Sequence, residues 1–208
     1  MARLLRAALG GAVLASGISS CAGLSLNPSS IERWSGPPFP ADRVHVVHVL
    51  PVADERGLNR DRAVAMATLT REAALSLLRE KGYGVVAVGD SLAASSHRDQ
   101  DDESLDAADV LARGPADAEY VLALVVEAAE PDILVGPSTV RVELRGAVAD
   151  VKARSLVWSG ASVAESGFVA GAVSGSASAA EYGAIYQAMR ALLADVPPRT
   201  DVAAGAAG

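Results

Sequence analysis

The sequence predicts an α/β domain: a mixed sheet of about five strands with helices packed on it, preceded by a signal peptide and a flexible tether. Three observations lead there. Segments 43–52 and 118–127 are apolar on both alternating faces, as strands covered on both sides must be. Segment 61–81 repeats its apolar residues at helical spacing. Segment 138–150 alternates between apolar and charged residues, the pattern of a strand with one face in water.

In chain order, the first strand spans 43–52 and ends in Val49-Leu50-Pro51-Val52, followed by a polar turn at Asp54, Glu55, Arg56 and Gly57. The long helix comes next. At 100° per residue, Val64, Ala67, Ala74, Leu75 and Leu78 group together, with Met66, Ala73 and Leu77 extending the arc. Thr68, Glu72, Ser76, Arg79 and Glu80 fall opposite. Gly82 suits the left-handed position that ends a helix, which lets Tyr83 fold back on Leu78. Residues 84–88 form a short second strand, 90–103 a polar loop, and 105–112 a modest helix. The third strand carries Tyr120 to Val126. A hairpin follows, its first strand setting Val140, Val142 and Leu144 against Arg141, Glu143 and Arg145. Its turn is 151–154, and its second strand, 155–163, holds Trp158 inside. Ser178 and Glu181 have the spacing of a capping box for a last helix. That helix has the stripe Tyr182, Ile185, Tyr186, Met189, Leu192, Leu193 and Val196. This order implies a mixed sheet with helices on its faces.

The ends of the chain carry a different message. Arg3 and Arg6 precede an uncharged apolar run from Ala7 to Ala15, and small residues lead to the only cysteine, Cys21. The apolar run is far shorter than the roughly 20 residues that span hydrocarbon as a helix. Ile18-Ser19-Ser20-Cys21 resembles the lipobox of bacterial lipoproteins, which implies cleavage of residues 1–20 and acyl chains on Cys21. The alternative is an ordinary signal peptide with a bystander cysteine. Lipidation also removes a thiol that has no partner for a disulfide. Each buried methylene contributes roughly 0.8 kcal/mol, so two or more chains anchor firmly. Ala22 stands where an Asp would resemble an inner-membrane retention signal, so by analogy the location is the outer membrane, facing the periplasm of a Gram-negative cell. Residues 21–41 read as a lipidated tether with the prolines Pro28, Pro37, Pro38 and Pro40, and 197–208 as a disordered tail. The domain is then 42–196.

Charge narrows the partners. Loss of Arg3 and Arg6 with the signal peptide takes the net charge from −7 to −9. Nucleic acid and anionic lipid are therefore poor partners for its general surface.

Candidate sites are few. His45 and His48 are three apart on a strand and point to opposite faces, so they do not share a metal. With only His97 left and no second cysteine, a structural zinc site is not expected. Asp99, Asp101, Asp102 and Glu103 have the carboxylate density of a calcium loop without its required Gly and Glu, and read as a solvated loop. Asp54, Glu55 and Arg56 follow the carboxyl end of a central strand, where open sheets bind ligands, although a charged turn accounts for them. Residues 166–180 run fifteen positions without a charge, with Gly167, Gly171 and Gly175 four apart. Together with Phe168 and Val169 they suit either an oligomer or membrane contact or a flexible strand-to-helix connection. No nucleophile elbow, phosphate-binding loop, dinucleotide fingerprint or metalloprotease motif occurs. No catalytic residue, cofactor site or metal site is assigned, and the chain is not expected to be an enzyme.

The Val49-Leu50-Pro51 strand end, Gly82-Tyr83-Gly84-Val85-Val86, Ala118-Glu119-Tyr120-Val121-Leu122 and Leu156-Val157-Trp158-Ser159-Gly160 together resemble small bacterial envelope lipoproteins with a TolB amino-terminal-domain-like α/β fold. This is the group that includes LpoB and CsgG. Val52 and Asp54 replace that group's usual second proline and asparagine. The resemblance implies a membrane-anchored adaptor or accessory factor for another envelope protein. It also implies, as the alternative, a subunit of a homo-oligomeric secretion or transport apparatus using the glycine-rich segment.

Overall fold

The computed structural model describes residues 33–54, 60–89, 105–132, 137–169 and 177–199. Seven strands form one mixed sheet. They are β1 (Arg33–Ser35), β2 (Val46–Val49), β3 (Ala53–Asp54), β4 (Gly84–Ala87), β5 (Tyr120–Asp132), β6 (Pro137–Asp150) and β7 (Ser155–Val169). Helices α1 (Arg60–Glu80), α2 (Ala107–Arg113) and α3 (Ala177–Leu192) accompany them, and a 3₁₀ turn, Leu193–Asp195, continues α3. The spatial order is β1-β7-β6-β5-β2-β4, with β3 paired to β5. The expected mixed sheet is present. Two very short strands, β1 and β3, add to the five that the sequence made visible.

The sheet has two halves. β4, β2 and the start of β5 are parallel, joined by α1 and α2. β5, β6 and β7 are antiparallel. β5 belongs to both halves, which explains its apolar character on both faces. Tyr120, Leu122, Leu124 and Val126 enter a large core with α1 and α3. Val121 and Ala123 enter a smaller one with Leu50, Val88, Val110, Ala147 and Ala149 beneath α2. α2 begins as capping chemistry requires, with Asp106 Oδ1 accepting from the Asp109 N–H at 2.8 Å.

The end of α1 is settled by one residue. Gly82 has φ 86°, the left-handed conformation. The Gly82 N–H donates to Arg79 O and the Tyr83 N–H to Leu78 O, the two bonds of a Schellman cap. The buried arc of α1 is rotated from expectation. Met66, Thr70, Ala73, Ala74, Leu77 and Leu78 are buried, whereas Val64 is 58% exposed. Val64 lies in the first turns of α1, ahead of the residues that meet the core.

Other differences have similar causes. Residues 33–41, read as tether, hold β1 and the buried Phe39. The Phe39 ring meets Tyr83 and Trp158 edge-on at 5.6 and 6.2 Å, which ties the entering chain to the core. Residues 197–199, read as tail, are also held: Tyr83 donates to Pro197 O at 2.7 Å and the Arg199 N–H to Lys81 O at 2.7 Å. α3 is already helical at Ala177, so Ser178 lies in its first turn and not before it. Tyr182, placed on the core stripe, is 53% exposed and stacks on Tyr186. Alanines take its place: Ala180, Ala184 and Ala188 are buried. Small residues let α3 approach the sheet closely, and Gly146 leaves room for Leu192 of α3. A Cβ there would lie 3.1 Å from Leu124 Cδ2 and 3.2 Å from Leu192 Cδ2.

Candidate interaction surface

β5, β6 and β7 have 13, 14 and 15 residues, against four in β2 and β4. At roughly 3.3 Å per residue they extend well past the parallel half. One face of this antiparallel arm lies in the core, where Val140, Val142, Leu144 and Ala164 are buried. The other carries charge. Arg141 pairs with Glu143 at 2.8 Å and with Glu165 at 3.6 Å, while Arg145 pairs with Glu127 at 2.5 Å. All are partly exposed, with side chains between 23% and 45% accessible.

The strict alternation of β6 dictates this face. The pairing with Glu127 depends on something alternation does not show. Val126 pairs with Leu144 and Ala128 with Glu143, so Glu127 is the extra residue of a β-bulge. A bulge redirects its side chain and sharpens the local twist. Glu127 is thereby aimed at Arg145.

The glycine-rich segment divides. Gly167, Phe168 and Val169 complete β7, opposite Thr139, Ser138 and Pro137 of β6. The strand predicted to stop at Val163 thus continues six residues further, as backbone pairing with β6 persists past the end of the charged alternation. Gly171 and Gly175 lie outside the described residues, as does Cys21. The acidic run 99–103, together with Glu55 and Arg56, lies outside them too.

The carboxyl end of the parallel strands is occupied by arginines that the sequence did not single out. Arg71 of α1 donates to Val49 O and to Val88 O, and Arg113 of α2 donates to Pro51 O at 2.8 Å. They satisfy carbonyls where β2 and β4 end: Arg71 ties the end of β2 to the end of β4, and Arg113 ties α2 to the chain just after β2. Their only sequence signal is position, one turn or so from where each helix passes a strand end. Asp54 pairs through its backbone with Val126.

The histidines separate as expected. His45 contacts the Arg199 guanidinium, and His48 sits on β2 opposite Val121, its Nδ1 buried without a partner among the described residues. No group of three His, Cys, Asp or Glu among the described residues could hold a metal. No described helix is long and apolar enough to cross a membrane.

No family model matches the chain, and no curated protein matches it. Solved structures do. The PelC dodecamer from Paraburkholderia phytofirmans aligns with TM-score 0.51 and 16% identity, covering 81% of this chain and 98% of that chain. A second crystal form of PelC gives 0.50 and 17%, covering 82% and 98%. A lipoprotein from Neisseria meningitidis aligns at 0.41 with 18% identity, covering 73% and 99%. The C-terminal domain of LpoB from Escherichia coli aligns at 0.31 with 15%, covering 57% and 81%. The likeness to PelC is one of fold, and it runs across nearly the whole length of that chain.

Proposed function

We propose that this chain is a lipid-anchored envelope protein, acylated on Cys21, whose α/β domain serves as an adaptor or accessory factor for another envelope protein. It acts by contact and not by catalysis. The observation that carries this reading is the open face of the β5–β6–β7 arm. Its Arg141, Glu143, Arg145 and Glu165 are half-exposed and held in register by ion pairs. Such a face offers charge complementarity to one partner and repels mismatched ones. The lipobox-like Ile18-Ser19-Ser20-Cys21 supports the anchor. PelC, whose fold is similar, is a dodecamer, which supports contact between proteins, self-association included, as the mode of action.

The test is in-cell crosslinking followed by mass spectrometry of captured proteins, comparing wild type with Cys21→Ala. A distinct envelope protein captured only with the anchored form is the expected result. Recovery of this protein alone, in crosslinked multiples, would replace the adaptor by a self-assembling apparatus.

A further inference from the structure

The ends of α1 and α3 meet at a cleft of about 310 Å³ lined by Leu77, Glu80, Lys81, Arg190, Leu193 and Ala194. Leu77 and Leu193 are buried and form its apolar floor. Lys81 Nζ donates to Val196 O at 2.8 Å, which fixes the ammonium and leaves two of its three N–H groups free to donate. Arg199 holds the same stretch of chain by its bond to Lys81 O, so the wall of the cleft is pinned at both backbone and side chain.

The charge here is unlike that of the rest of the chain. Arg141 and Arg145 of the sheet have carboxylate partners. Among the described residues neither Lys81 nor Arg190 forms an ion pair. Glu80 turns back along its own helix, its Oε1 accepting from Ser76 Oγ at 3.4 Å. Two cations therefore line the cleft against the single carboxylate of Glu80, which leaves it net positive in a protein of net charge −7. Burial and the Arg190 charge both hold the Lys81 ammonium below its ordinary pKa. Favourable placement of cations at helix carboxyl ends accounts for Arg79 and Arg190 singly. It does not account for the convergence of Arg190 with Lys81.

We infer that this cleft binds a phosphate group. A phosphate carries enough charge to answer both cations, the guanidinium engaging two of its oxygens and the ammonium a third. The apolar floor suits the first carbons of whatever bears it. The phosphate comes from a free ester or from a phospholipid headgroup. Only the second source rests on the lipid-anchor reading, since an anchored domain works beside a membrane.

The experiment uses the full chain with Cys21→Ala, so that no acyl chain carries it to a membrane. Calorimetric titration with inorganic phosphate should be saturable. Arg190→Gln and Lys81→Gln should each weaken it about tenfold, as loss of a charge-assisted bond does. Arg79→Gln removes the same charge from the same helix end outside the cleft and should leave binding within about twofold. Arg190 is exposed, so its variant should melt like wild type. Flotation with phosphatidylcholine vesicles, with or without phosphatidic acid, identifies the source. Capture by phosphatidic acid that Arg190→Gln abolishes assigns a headgroup, and phosphate binding without capture assigns a soluble ester. Absence of saturable binding, or equal loss in Arg79→Gln, overturns the site. Acyl labelling of Cys21 in the unmodified chain reports on the anchor separately.

Discussion

Gly82 and Tyr83 show how much one residue decides. Gly82 stands at φ 86° and closes α1, a conformation that costs a residue bearing a Cβ about 1–2 kcal/mol. Gly82→Ala should lower the unfolding free energy by that amount, read as a lower urea midpoint with an unchanged m-value. The next residue, Tyr83, is buried and hydrogen-bonded to Pro197 O. Desolvation raises its phenol above the ordinary value of 10.0, against a smaller opposing pull from Arg199. Tyr120 is raised too, by burial and then by Asp150 and Glu119. A raised phenol stays protonated in the folded state where the unfolded chain has lost its proton. Stability is therefore intact below about pH 10 and declines as pH rises through the folded-state value. Lys81, lowered from 10.5, works with the opposite sign, since the unfolded chain binds the extra proton there. Tyr83→Phe should lose about 1 kcal/mol at neutral pH and show a shallower alkaline decline, read from urea midpoints between about pH 8 and about pH 11. An unchanged decline would mean that Tyr83 ionises no differently in the two states.

Between elements, the contact of α3 with the antiparallel arm sets the thickness of the core. Ala180, Ala184, Ala188 and Gly146 keep it thin. Gly146→Val should cost about 1–3 kcal/mol by overpacking against Leu124, Leu192 and Trp158, measured by thermal melting. On the opposite face, Arg145→Glu would set like charges at the Glu127 bulge. Its cost should stay within about 1 kcal/mol and fade in high salt, because the pair is partly solvated. A larger, salt-insensitive loss would show that the bulge itself had rearranged. The chain reveals β6 through its alternation and the end of α1 through Gly82. It leaves the bulge at Glu127 and the extension of β7 to Val169 unmarked, because both arise from the length of the neighbouring strand. Val64 and Tyr182 misled for a related reason: periodicity gives the direction of an apolar face but not which of its positions the core covers.

For the molecule as a whole, the anchor and the domain make separable predictions. Cys21→Ala should move the protein from the membrane to the soluble fraction without altering the thermal melt of the domain, since β1 begins only at Arg33. Retention on membranes in that variant would require another attachment. The sequence by itself determined the strand and helix types, the mixed α/β class and the alternating faces of β6. These depend on local period and on single capping residues, which act over a few neighbours. Tertiary structure alone decided that Phe39 and Arg199 belong to the fold, that Arg71 and Arg113 bind strand ends, and that Glu127 meets Arg145. It also brought Lys81 and Arg190, more than 100 residues apart in the chain, to one cleft. Contacts of that range depend on how the sheet twists and where its strands end, which no short window of sequence encodes.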